Sequence, residues 1–309
     1  MKILIEVPSW IGDSVMITPA IENLVNYYQN PEITLIGSFA SVELFVHHPK
    51  VIKTYVLKKQ YKFINNFAKK LGYFDVMFSF RGSFRSTLLQ LMISSPKKYQ
   101  YKKKLYPDRH QVEKYNDFIN ESLKIDTIPG LLKLYKNPKS ISKKSKPILG
   151  INPGAAYGDA KQWYSIEFAK VIVSLQDNYD TIIFGGPLEV NIADDIEKLL
   201  LDYGVSNYEN LAGKTSISDL IDMISKIELF ITGDSGPMHI AASFQVPTIA
   251  IFGPTNDNET SQWMNSKSFI LKKNLECQPC MKRTCPLKHH NCMSLIKSKD
   301  VLLALESID

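Results

Sequence analysis

The stretch from Phe230 to Pro254 most narrows what this chain can fold into. An apolar run, Leu229-Phe230-Ile231, leads into Thr232-Gly233-Asp234-Ser235-Gly236-Pro237-Met238-His239. After Ile240 to Phe244, a second apolar run from Thr248 to Phe252 ends in Gly253-Pro254-Thr255. Short apolar runs bounded by turn residues read as buried strands, and a proline in the first turn reads as the opening of a helix. The segment is therefore strand, tight loop, helix, strand. Ser235, or Asp234, can cap that helix, and the unpaired amides among residues 236 to 239 then point at whatever lies above the sheet, where a phosphate can be held. A plain helix cap is the simpler reading of Asp234 and Ser235. Against it stand His239 one turn into the helix and the second polar loop at Gly253-Pro254-Thr255, because neighbouring loops at the carboxyl ends of parallel strands are where open α/β sheets bind ligands.

The same alternation runs through the rest of the chain. Strands are expected at Lys2 to Val7, Ile33 to Gly37, Val51 to Leu57 and Asp75 to Phe80, with helices at about 14–28, 40–46, 61–70, 84–93 and 110–123. From Thr127 to Pro147 the composition shifts to Pro, Lys, Ser and Asn without periodicity, which marks a linker. Further strands follow at Ile148 to Asn152, Thr181 to Phe184 and about 206–209, with helices at 166–177, 189–202 and 216–226. Alternating β and α at this spacing predicts parallel sheets covered on both faces. A chain of 309 residues exceeds what one core usually fills. The expected division is a first domain over 1–135, a linker over 136–147 and a second domain over 148–309, with the last helix able to pack back on the first domain.

A hydrophobic content of 44% and an aromatic content of 11% describe a globular protein, not a disordered one. The net charge of +6 is partly local: residues 97 to 104 read KKYQYKKK, and Lys143, Lys144 and Lys146 form a second cluster. Such runs are either solvated surface or contacts for an anionic partner. No segment reaches the roughly 20 apolar residues of a membrane span, and MKILIEVPSW enters a strand pattern instead of a signal peptide. The expectation is a cytoplasmic protein whose four cysteines are thiols or ligands, not structural disulfides.

Several loops after strands carry useful chemistry. Asp13 precedes the first expected helix, where it can cap or can serve as an ionised carboxylate that accepts a proton. Arg81 and Arg85 follow the strand at Asp75 to Phe80; their planar forks suit carboxylates and phosphates, or ordinary salt bridges. Lys161 can bring an ammonium to the helix-end amides, and Glu189, after a Gly-Gly-Pro turn, can accept two ribose hydroxyls. Neither a G-x-x-x-x-G-K-[ST] loop nor a G-x-G-x-x-G after the first strand is present, which argues against a kinase, an ATPase or a dehydrogenase. No Asp-x-Asp pair of the metal-dependent glycosyltransferase kind occurs either. The spacing Cys277-x2-Cys280-x4-Cys285-x6-Cys292, with His289 and His290 inside it, permits a zinc site or free thiols.

Trp10-Ile11-Gly12-Asp13, Lys161-Gln162-Trp163, Leu211-Ala212-Gly213-Lys214-Thr215, the block from Gly233 to Ala242 and Phe252-Gly253-Pro254-Thr255 together resemble the bacterial ADP-heptose:lipopolysaccharide heptosyltransferases. The likeness runs in the same order from the first strand to residue 292, and the cysteine tail is more similar to that of the second-heptose enzyme than to that of the first. The resemblance implies a GT-B architecture, two Rossmann-like domains facing each other across a cleft. It implies inverting transfer of heptose from ADP-heptose to the lipopolysaccharide inner core, with no cofactor required. Asp13 then matches the general base. Donor contacts fall to Lys161, Glu189, Leu211, Thr215, Asp234, Ser235, Gly236, Pro237, Met238, His239 and Thr255. Trp10, Gly12, Arg81, Arg85, Lys97, Lys98 and Lys102 are the acceptor-side residues. The implied setting is a monomer touching the inner face of the cytoplasmic membrane transiently, with no nucleic-acid partner. Addition of the first heptose, another inverting GT-B enzyme with a UDP- or GDP-sugar, or a non-catalytic two-domain binding protein are the alternatives.

Overall fold

The structure, a computed structural model, describes residues 1–57, 64–106, 108–137, 146–154 and 156–307. The chain divides into two compact units, Met1–Lys136 and Asn137–Asp309. In the first, β1 (Lys2–Glu6), β2 (Glu32–Gly37), β3 (Val51–Val56), β4 (Val76–Ser79) and β5 (Lys97–Gln100) form one sheet in the order β3-β2-β1-β4-β5. In the second, β6 (Ile148–Asn152), β7 (Asp180–Ile183), β8 (Tyr208–Asn210), β9 (Leu229–Gly233), β10 (Thr248–Phe252) and β11 (Ser268–Lys272) run in the order β11-β10-β9-β6-β7-β8. Every named pairing is parallel.

Parallel neighbours need crossovers, and helices supply them. Central strands are then covered on both faces, so they read as continuous apolar runs: Ile3, Leu4 and Ile5 in β1, and Phe230 and Ile231 in β9, are all fully buried. In each sheet the winding direction reverses once, between β1 and β4 and between β6 and β9. Those two crevices, at the carboxyl ends of the strands, are where a doubly wound sheet holds ligands.

Several expectations need correcting. The helix expected over 14–28 is two helices, Ile11–Met16 and Thr18–Tyr28, broken at Ile17 just before Pro19. Asp13 consequently lies inside the first turn, not ahead of it as a cap; Trp10 holds the cap position. Half of the basic run at 97–104 is a strand. β5 is an edge strand with partial exposure, and lysines at an edge block further pairing, so their charge hid its β character. β11 and the helices Asp257–Thr260 and Asn291–Ser294 went unanticipated, while the expected last helix is Ser298–Leu305. That last helix packs on the helix Ser165–Leu175 and on β11, within its own unit. The first part of the helix expected over 61–70, residues 61 to 63, lies outside the described residues, as do Lys143 and Lys144 and most of the linker.

Thr127 to Lys136 is not a free linker. Leu132 and Leu134 are buried, Asn120 and Asn116 clamp Thr127, and the Lys133 amide donates to Thr18 Oγ1. Glu22 holds the far end of this segment: it accepts from Lys133 Nζ at 2.8 Å and Tyr135 Oη at 3.1 Å, with the His48 ring 3.2 Å away. Burial alone would raise the Glu22 carboxyl, but these hydrogen bonds outweigh it and bring the group down to about 2. An acid depressed by folding contributes stability that is present above its unfolded value near 4.5 and is lost as pH falls through about 2. Glu22→Gln should therefore destabilise the first unit by on the order of 2 kcal/mol at pH 7. The gap from the parent should close as urea unfolding is repeated at successively lower pH down to 3.

Candidate active site

In the second unit, the loop after β6 is anchored by Trp163. Its indole is buried beside Phe168, and its Nε1–H donates to the Ile296 carbonyl at 2.9 Å. The anchor fixes a 3-10 turn, Asp159–Lys161, that carries Lys161 to the crevice between β6 and β9. There Lys161 Nζ meets Asp234 Oδ2 at 2.5 Å and the Asp234 carbonyl at 3.2 Å. Thr255 Oγ1 donates to the same carboxylate oxygen at 2.6 Å. The loops after three different strands, β6, β9 and β10, thus converge on one buried carboxylate.

Asn152, at the end of β6, ties two of these loops together: its Nδ2 donates to the Gly154 carbonyl at 3.2 Å and lies 3.3 Å from Ser235 Oγ. The Ser235 hydroxyl bonds to Thr232 Oγ1 and makes no cap bond to the helix Gly236–Ser243, although Ser235 sits at its N-cap position. Neither Ser235 nor Asp234, then, fills the capping role that was the simpler sequence reading. The N-terminal amides of that helix, with a partial positive charge, open beside the Lys161 ammonium. Pro237 contributes no amide of its own. Met238 joins a core cluster with Ala250 and Phe252, and His239 is buried, so at these positions the backbone is what faces the loop.

Glu189 closes a second side. Its carboxylate accepts from the Gly186 amide at 2.6 Å, and it lies so close to the β6 loop that a Cβ on Gly154 would run into its side chain. Leu211 and Thr215 follow β8, with the Leu211 amide donating to the Ile183 carbonyl at 2.9 Å. Both are half-buried.

In the first unit, the helix Ile11–Met16 follows β1 and presents Gly12 and Asp13 at its first turn, with an exposed Trp10 ahead of it. Tyr115 Oη donates to Asp13 Oδ1 at 3.1 Å. Burial, reinforced by the Asp13 charge, holds the Tyr115 hydroxyl well above its usual range, so it stays a donor at neutral pH. Nothing in the sequence spacing marked Tyr115, which reads as one more apolar position of the helix Gln111–Leu123. Across the β1/β4 crevice, Arg81 Nη1 stands 3.7 Å from Glu6 Oε1. Glu6 also accepts from Ser79 at 2.6 Å and Ser86 at 2.9 Å, with the Arg85 charge nearby; burial nonetheless raises its pKa. Arg81 therefore faces a buried acid while remaining partly exposed, and Arg85 adds its charge nearby.

The basic run splits. Lys97 and Lys98 pair with Val76 and Met77 at the amino end of the sheet, away from Asp13 and Arg81, so the structure does not bring them to that crevice. Lys102 lies just past the carboxyl end of β5, beside the Arg81 loop, whose carbonyl accepts from Gln100 Nε2 at 3.1 Å. Cys277, Cys280, Cys285 and Cys292 line one small cavity with His289 and His290. Among the described residues, no three His, Cys, Asp or Glu side chains are grouped closely enough to hold a metal ion. Burial, with the neighbouring thiols, pushes Cys292 up to about 11 and keeps it protonated.

Comparison with known proteins agrees with this layout. The family model described as glycosyltransferase family 9 (heptosyltransferase) matches residues 64–291. The lipooligosaccharide heptosyltransferase 2 of Campylobacter jejuni is 40% identical over 98% of this chain and 96% of its own. The solved ADP-heptose lipopolysaccharide heptosyltransferase II of E. coli superposes with a TM-score of 0.82 at 22% identity, covering 100% of this chain and 98% of that one. A glycosyltransferase family 9 structure from Veillonella parvula gives 0.84 at 20% identity, covering 99% and 96%. Similarity at that distance speaks to the fold, and the fold is the two-unit parallel α/β arrangement described above. The chain belongs to glycosyltransferase family 9, the heptosyltransferases.

Proposed function

We propose that the protein transfers heptose from ADP-heptose to the lipopolysaccharide inner core, placing the second heptose on the first with inversion at the anomeric carbon. The observation that carries the donor assignment is the convergence of Lys161, Asp234 and Thr255 beside the N-terminus of the helix Gly236–Ser243. When the sugar–oxygen bond breaks, negative charge grows on the departing diphosphate. Fixed amide dipoles and a lysine in a poorly hydrated crevice stabilise that charge as it develops. Glu189 is assigned to the ribose hydroxyls, and Leu211 and Thr215 to the surroundings of adenine. In this reading Asp13 takes the proton of the acceptor hydroxyl while its oxygen attacks the anomeric carbon, and the bond to ADP breaks on the opposite face. Trp10, Gly12, Arg81 and Lys102 then border the anionic acceptor.

The choice of the second heptose rests on the relatives: the two at 40% and 38% identity, each covering nearly the whole chain, are both named heptosyltransferase 2. Contact with an anionic membrane face fits the net charge of +6 and the exposed Lys102 to Lys104, and no helix among the described residues is long and apolar enough to cross a membrane. Incubation with ADP-heptose and core acceptors carrying either no heptose or one heptose should extend only the latter. Extension of the heptose-free acceptor would reassign the enzyme to the first addition. Thermal shifts with ADP, GDP and UDP should favour ADP, and a larger shift with UDP or GDP would reject the donor.

A further inference from the structure

We propose that Arg283, on the cysteine-bearing segment, is a second cation for the donor's diphosphate, an inference that rests on the donor site lying at Lys161 and Asp234. Tyr157 joins the two positive charges. Lys161 Nζ lies 4.7 Å from the centroid of its ring and the Arg283 Cζ lies 5.4 Å from the same centroid. The separation of the two cations is thus bounded by the sum of those distances, a reach that a diphosphate with its flanking sugar oxygens can bridge.

The backbone makes the placement of Arg283 deliberate. Its carbonyl accepts from the Ala160 amide at 3.0 Å, and Tyr157 Oη donates to the Met281 carbonyl at 2.8 Å. The His290 ring lies 2.9 Å from the Ala160 carbonyl. A Cβ on Gly158 would collide with the Arg283 carbonyl, so glycine is what lets the two segments touch. Residues 281 to 290 are therefore stitched to the turn that carries Lys161, and Arg283 shares its position.

Charge supplies the reason for a second cation. Lys161 is already paired with the buried Asp234 carboxylate, so part of its charge is offset before a diphosphate arrives. Arg283, in contrast, has no carboxylate partner among the described residues, and its guanidinium lies over the Tyr157 face. The Arg283 side chain is exposed and the Tyr157 ring half-buried, so the cation–π contact orients the group while holding it only weakly. A guanidinium fork released from that ring can grip two phosphate oxygens at once.

Titration calorimetry with ADP tests this on the whole protein. Arg283→Gln should weaken ADP about tenfold and flatten the dependence of affinity on salt, while AMP, which lacks the second phosphate, changes less. Arg283→Lys should recover part of the loss, and the ligand-free unfolding temperature should not move, because the side chain is exposed. Lys282→Gln, one residue away and equally exposed, should bind ADP as the parent does. If Arg283→Gln binds ADP normally while Lys161→Ala does not, the second cation is rejected and the donor site stands. If neither variant changes ADP binding, the donor site itself is misplaced and the inference falls with it.

Discussion

Asp13→Asn should lower kcat for heptose transfer by about a hundredfold to ten-thousandfold, the usual contribution of a positioned general base. The dissociation constant for ADP should stay within about twofold. Asparagine keeps the shape of the side chain and an Oδ1 that can still accept from Tyr115, so the helix Ile11–Met16 loses basicity without losing its hydrogen bond. That separation makes the variant informative: a folding defect would show in thermal unfolding, and a donor defect in calorimetry. Rapid-quench measurement of single turnovers with labelled donor reads the chemical step directly. Residual turnover within tenfold of the parent would remove Asp13 from the role of base and leave Tyr115–Asp13 as a structural contact.

Much of the architecture was legible because parallel sheets leave a strong trace in sequence. Strands buried on both faces must be continuous apolar runs, and β1, β6, β9 and β10 are of that kind. β5 and β11 were not legible for the same reason in reverse. Both are edge strands with one neighbour, partly exposed, and they tolerate lysines at 97, 98 and 272. The site divides along a similar line. Groups that belong to a local pattern, such as Asp234 in its strand-loop-helix and Lys161 before a buried tryptophan, could be named from the chain alone. Tyr115 and Arg283 reach their places through tertiary contacts 102 residues from Asp13 and, for Arg283, across the chain to the Tyr157 loop. No local spacing encodes such a contact. Lys97 and Lys98 failed differently: charge density suggested a site, but register places them at the wrong end of their strand.

Lys161→Ala is expected to weaken ADP by about 1.5 to 3 kcal/mol, the range for a charged hydrogen bond, which is roughly tenfold to a hundred-and-fifty-fold in the dissociation constant. The structure adds a second consequence. Lys161 and Asp234 are both largely buried, and removing one member of a buried pair leaves the other charged and unmatched, at a cost of about 3 to 5 kcal/mol. Thr255 still donates to Asp234 and softens that loss without cancelling the charge. The single variant should therefore unfold at a lower temperature as well as bind ADP poorly, and the two effects must be pulled apart. Lys161→Met combined with Asp234→Asn removes both charges at nearly constant shape. In that double variant the unfolding temperature should return toward the parent value, because no charge is left buried alone, while ADP affinity stays low, because the ammonium is still missing. Recovery of ADP affinity along with stability would mean that Lys161 serves only to neutralise Asp234, and the diphosphate would have to be held by the helix amides and other cations.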